Sequence, residues 1–251
     1  MTKGFYNLTS GVLSQGRRLD VIANNMTNLA TAGYKAETYT DRTFQEVLIS
    51  RVGNKDKSGA TVIGEESYIL APDQLYVNYD QGSFKETGLT LDFAIVGDGY
   101  FAIQTSDGVE YTRGGSFSLD DQGRLYLSGH GLVLGSDGAP ITLSTDEITA
   151  DGEGRLYTAD GYYLGQLGVY AFADNNQLAK AESGLFDANG QQAQPVENAQ
   201  VMWQYVEESN VDMLQEMSRM MTAQQALQGG AQILKLYDAL LTKTTTEVGR
   251  L

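Results

Sequence analysis

One apolar rhythm both opens and closes this chain. Near the start, Phe5, Leu8, Val12, Gln15, Leu19, Ile22, Met26 and Leu29 follow one another at alternating steps of three and four. That spacing puts every member on one stripe of a helix, the seam of a coiled coil. Only Gln15 interrupts the apolar series. The pattern predicts a helix from about Lys3 to Leu29, roughly 40 Å long at about 1.5 Å per residue. Thr31-Ala32-Gly33 supplies its stop, with Gly33 suited to the left-handed position past a helix end. Near the close, Met213, Met217, Met220, Gln224, Leu227, Ala231, Leu234, Asp238 and Leu241 repeat the same steps. A second stripe of Leu214, Met221, Ile233, Tyr237 and Leu240 widens the apolar face enough for more than one neighbour. Ser209 or Asn210 is placed to cap this helix, with Asp212 favourable in its first turn. Gly229-Gly230 falls mid-helix, where each Gly costs about 1 kcal/mol relative to Ala. Either the helix weakens there or another backbone comes close, and the sequence reads as close packing.

A lone amphipathic helix of this length is marginal in water. Two such helices sharing one rhythm predict an α+β protein whose terminal helices pair as a coiled coil around a mainly antiparallel β body. The expected domains are residues 1–35 with 205–251 as a discontinuous helical assembly domain, and 36–204 as a β-rich outer body. On this reading the ends are frayed in the free chain and order on assembly. The plainer alternative is an intramolecular helical hairpin packed on the β body.

The middle carries strand signals. Leu89, Leu91, Phe93 and Ile95 alternate at period two, and Gly97-Asp98-Gly99 turns the chain into Tyr100-Phe101-Ala102-Ile103. Ser106-Asp107-Gly108 and Asp120-Asp121-Gln122-Gly123 are further hairpin signals. Gly123-Arg124-Leu125-Tyr126 is echoed by Gly154-Arg155-Leu156-Tyr157, which predicts two similar hairpins. A loop is expected near 50–66, rich in Lys, Gly, Ser and Glu.

Charge and composition narrow the chemistry. The net charge of −15 argues against nucleic acid, which needs Lys and Arg on its phosphates. Residues 1–35 carry four basic groups and one acidic, and residues 205–251 carry four and six, so the acidity belongs to the body. With no cysteine, there is no disulfide, thiolate metal site or cysteine nucleophile. No cleavable signal peptide and no membrane-length apolar run is read. The expectation is a cytosolic protein, or one that leaves by a route that removes no leader.

Catalysis finds little support. Several Asp residues, among them Asp98, Asp107, Asp137, Asp151 and Asp160, sit beside Gly in turns, and pairs such as Asp92 and Asp98 read as structural. The single histidine, His130, lies in Ser128-Gly129-His130-Gly131 without a nucleophile–base set around it. Asp187-Ala188-Asn189-Gly190 begins like a calcium loop but lacks the closing Glu. Gly97-x-Gly99 and Gly129-x-Gly131 read as hairpin turns rather than dinucleotide fingerprints. No enzyme activity, cofactor, metal or small-molecule substrate is expected.

Three blocks carry a resemblance. Leu19-Asp20-Val21-Ile22-Ala23-Asn24-Asn25-Met26-Thr27-Asn28-Leu29-Ala30-Thr31-Ala32-Gly33-Tyr34-Lys35 resembles the N-terminal signature of the bacterial flagellar rod and hook axial proteins. Leu91 to Phe101, followed by Tyr111-Thr112-Arg113-Gly114-Gly115-Ser116-Phe117-Ser118-Leu119, is similar to that family's β-domain core. Glu208-Ser209-Asn210-Val211-Asp212, then Glu216-Met217 and Ala223-Gln224, is similar to its C-terminal motif. Gln225 and Gly229-Gly230 depart from it, standing where the family usually has Arg and Asn. The amides of Asn24, Asn25 and Asn28 can serve helix-end carbonyls or another subunit.

The resemblance implies a structural rod subunit of the flagellar basal body, self-assembling helically into a hollow shaft that transmits torque. It implies type III export without a cleaved leader, and partners among other copies and the rod, hook and ring proteins. A short hook-type axial protein and a secreted β-rich adhesin with a helical stalk are the alternatives. The implied assembly surface comprises Leu8, Val12, Leu19, Ile22, Asn24, Asn25, Met26, Asn28, Leu29 and Gly33 at one end. At the other it comprises Ser209, Asn210, Val211, Met213, Met217, Met220, Leu227, Leu234 and Leu241.

Overall fold

The computed structural model describes residues 2–51, 61–143, 145–181 and 183–248. The fold is α+β. A helix, α1 (Thr2–Thr27), precedes two long strands, β1 (Glu37–Arg51) and β2 (Thr61–Val77), that pair as a two-stranded sheet. Short strands then run from Phe84 to Glu207, and α2 (Met213–Val248) follows. Of the loop expected near 50–66, residues 52–60 lie outside the described residues, and 50–51 and 61–66 are strand.

The chain divides into two units. The first comprises 1–26, 37–76 and 212–251; the second comprises 27–36 and 77–211. The division differs from the sequence reading, which placed all of 36–204 in the β body. Strands β1 and β2 group with the helices instead.

In the first unit the terminal helices pair. The Phe5 and Tyr237 rings lie 6.4 Å apart. A Cβ on Gly230 would come within 2.7 Å of Val12 Cγ2, whereas Gly229 has open space. Close approach therefore explains Gly230 alone. The N-cap of α2 is Asp212, whose Oδ1 accepts from the backbone N–H of Leu214 and of Gln215. Ser209 and Asn210, the expected caps, bond elsewhere.

The second unit is antiparallel throughout its described pairings. Its middle is the strand Tyr100–Gln104, buried on both faces. Phe101 and Ile103 face one core with Phe93, Ile95, Phe117, Leu125 and Leu156. Tyr100 and Ala102 face a second core with Tyr111, Leu134 and Phe186. Period two produces this split, since neighbouring side chains leave a strand on opposite faces. The alternation predicted from Leu89 begins later, because Leu89 is exposed and Leu91 only packs against the first core.

The turn predictions divide. Val109–Thr112 pairs with Tyr100–Gln104, so Ser106-Asp107-Gly108 closes a hairpin. Gly129-His130-Gly131 joins two paired strands as well. Gly97-Asp98-Gly99 does not, because Phe93–Val96 pairs with Gln200–Trp203, far along the chain. The echoed segments fold alike. Asp120 Oδ1 accepts from the backbone N–H of Gln122 and Arg124, and Asp151 Oδ1 accepts from those of Glu153 and Arg155. In both, the following Gly takes a left-handed φ, +72° at Gly123 and +74° at Gly154.

Candidate assembly site

The predicted residues of α1 fall largely on its covered side. Ile22 and Asn25 are buried, and Leu8, Val12, Leu19 and Met26 are half-buried. Asn24 is exposed. Asn25 serves the start of β1. Its Nδ2 donates to the Glu37 carbonyl at 2.7 Å, and its Oδ1 accepts from the Glu37 N–H at 2.9 Å. One amide thus imitates a strand neighbour for the first residue of β1. Ser14 and Arg18 both donate to the carboxylate of Asp41 in β1.

On α2 the same alternating step recurs along the side covered within this chain, while part of the expected assembly surface stays exposed. Among the covered positions, Glu216, Met220, Ala223, Leu227, Gly230, Leu234 and Tyr237 again follow alternating steps of four and three, with Gly229 and Ala231 half-buried beside them. Met220, Leu227 and Leu234 were expected there. Met213, Met217 and Leu241 are exposed instead. Gly230 stands in this row where a Cβ would already come within 2.7 Å of Val12 Cγ2, closer than any larger side chain would allow. An apolar stripe is left uncovered, with Leu214 at 81% and Leu236 at 69% exposure, joined by Met221, Ile233 and Leu240.

The remaining predicted residues belong to the second unit, at a polar hub. Leu29 is half-buried just past α1, and Asn28 holds the turn, accepting from Thr31 Oγ1 at 3.1 Å. Gly33 adopts φ +71°, the left-handed conformation expected, and donates its N–H to the Glu207 carbonyl at 2.7 Å. A Cβ there would lie 2.2 Å from the Gly114 nitrogen, so packing excludes a side chain as well. Asn210 Oδ1 accepts from Ala36 N–H, and its Nδ2 donates to the carbonyls of Asn78 and Asp80. Ser209 Oγ accepts from the N–H of Val211, which is itself buried.

The hub's centre escaped the sequence reading. Lys35, Glu207 and Arg113 have side chains 1%, 0% and 4% exposed. Lys35 Nζ lies 2.6 Å from Glu207 Oε1 and donates to the Asp80 carbonyl at 2.8 Å. Arg113 reaches Glu207 Oε2 at 3.3 Å and the Gly97 carbonyl at 2.7 Å. Its guanidinium sits 5.2 Å above the Tyr100 ring centre. Burial lowers the Lys35 pKa, and the hydrogen bond and charge of Glu207 pull it back up. Both cations stand in the quoted blocks, but their anion lies 172 positions from Lys35. The only local signal was a charged residue directly after Gly33-Tyr34.

Elsewhere, polar groups serve turns and joints. Asp92, entertained as a catalytic acid, is buried and accepts from Thr87 and Ser116 hydroxyls at 2.6 and 2.9 Å. Asp187 Oδ1 accepts from the Asn189 N–H within its own turn.

Comparison with known proteins agrees with the three blocks. Residues 203–247 match the family described as flagellar basal body rod FlgEFG protein C-terminal. Residues 94–149 match the flagellar hook protein FlgE/F/G D1 domain. The chain is 32% identical to the flagellar basal-body rod protein FlgG of Bacillus subtilis, over 96% of this chain and 97% of that one. It belongs to the flagellar basal-body rod protein family. It is also 33% identical to FlgF of Mesorhizobium japonicum, over 94% and 93% of the two chains. With the flagellar hook-basal body complex protein FlhO of Bacillus subtilis it shares 29% identity over the full length of both. This is a family of structural rod proteins, and no helix among the described residues is long and apolar enough to cross a membrane.

Proposed function

We propose that this rod-family protein is a structural subunit of the flagellar basal-body rod. Copies stack helically into a hollow shaft that carries torque, with α1 and α2 forming a coiled-coil layer. The supporting observation is the uncovered stripe on α2, since long apolar side chains repeated along a helix at this exposure mark a surface for association. Neighbouring rod, hook and ring proteins of the basal body complete the set of partners. The chain reaches the cell envelope through the flagellar type III export apparatus and keeps its N-terminus. The structural role rests on hydrophobic burial between copies and calls for no cofactor.

A strain deleted for the gene tests this. The native chain restores swimming and is recovered in purified basal bodies. A version lacking 1–26 and 212–251 does neither. Swimming restored by that trimmed version would overturn the reading.

A further inference from the structure

Within the first unit, α1, the start of β1 and the first turns of α2 line a half-open cavity of about 320 Å³. Its apolar wall is Val21, Ile22 and Ala223, and its polar rim includes Arg18, Glu216 and Arg219. Glu216 stands out. It is 3% exposed, and Arg219 donates to its Oε1 at 2.8 Å, yet its Oε2 has no hydrogen-bond partner among the described residues. A buried carboxylate oxygen without a donor is costly, and the Tyr39 hydroxyl on the same lining, likewise without a hydrogen-bond partner among the described residues, does not reach it.

The charges around the cavity select that donor. Arg18 is already committed to Asp41 and Arg219 to Glu216. A further cation would face the guanidinium groups of Arg18 and Arg219, and a carboxylate would face Glu216 and Glu37. A neutral amide escapes both penalties. This chain presents such amides in one place, for α2 exposes Gln224, Gln225, Gln228 and Gln232 within a charge-free stretch from Met220 to Leu234. Met221 and Ile233, exposed beside them, are apolar enough to cover the cavity's wall.

We infer that the cavity is a socket for a second copy of this chain: a glutamine of the neighbour's α2 enters and donates its amide to Glu216 Oε2. The inference rests on the rod reading and names the contact by which copies interlock.

The test uses the full-length chain in the deletion strain, with a photoreactive benzophenone amino acid in place of Thr222, an exposed residue on the cavity's lining. Irradiated basal bodies should yield a covalent dimer of this chain whose cross-linked peptide maps to 220–234. Chain present in basal bodies without that adduct, or joined to a different protein, overturns the socket and leaves the rod reading intact. Chain absent from basal bodies would sink the rod reading itself. A second measurement needs no cross-link. Glu216→Gln retains an acceptor for Arg219 and replaces the other oxygen with a donor. Co-expressed with the native chain, the variant should melt within error of it, yet enter basal bodies about tenfold less often, the scale of one hydrogen bond to a charged group. Equal incorporation at equal stability refutes the socket.

Discussion

At the scale of single residues, the hub around Glu207 is the most consequential arrangement in the second unit. Removing one partner of a buried ion pair strands the other, at about 3–5 kcal/mol. Glu207 faces two cations, so Glu207→Leu strands both, whereas Lys35→Met leaves Glu207 paired with Arg113. Urea denaturation should therefore rank Glu207→Leu as the more damaging; the reverse order would mean that both cations find other partners. Alkaline pH gives a second prediction. Burial raises the pKa of Tyr100, Tyr111 and Tyr170 above that of the unfolded chain. Above about pH 10 the unfolded state loses those phenolic protons and the folded state keeps them, so the tyrosines' contribution to stability declines as pH rises. Lys35, with its pKa lowered, acts in the opposite sense, because the unfolded state then holds more protons and stability rises with pH until near the unfolded lysine value. Above the unfolded lysine value Lys35 adds nothing further, and the tyrosines alone still act. The melting temperature should fall from about pH 10 upward, and Tyr100→Phe should flatten that fall.

At the scale of elements, the two adjacent glycines of α2 make opposite predictions. Gly229→Ala meets open space and should gain about 1 kcal/mol in helix propensity. Gly230→Ala gains the same propensity but drives a Cβ to 2.7 Å from Val12, and should come out neutral or destabilising in thermal melts. Adding Val12→Ala should then recover stability in Gly230→Ala and not in Gly229→Ala. The pair also shows what the sequence could reveal. Rhythm located both helices, because period 3.6 is a local property of neighbouring residues. Which positions face inward is not local: Gly230 lies against Val12 of α1, a neighbour that no pattern within α2 records. The same divide runs through the β unit. Hairpins such as 100–112 were legible from their turn residues, whereas the pairing of Phe93–Val96 with Gln200–Trp203 joins distant segments. Among candidate site residues, Gly33 was readable from its place after a helix, and Asn25 was noticed without its partner, Glu37. Glu207 carried no local mark at all.

At the scale of the whole molecule, the uncovered stripe on α2 predicts how the free chain responds to protease. Helices short of partners open more readily than a doubly buried β core. Early cuts in the purified free chain should fall within α1 and α2, and incubation should leave fragments from the second unit. In purified basal bodies the same helices should resist cleavage. Ends as resistant as the core in the free chain would contradict this. The Lys35–Glu207 pair sets a different condition. Its two halves stand 172 positions apart, so a nascent or truncated chain that carries Lys35 without Glu207 leaves a buried cation unanswered and the second unit unfinished.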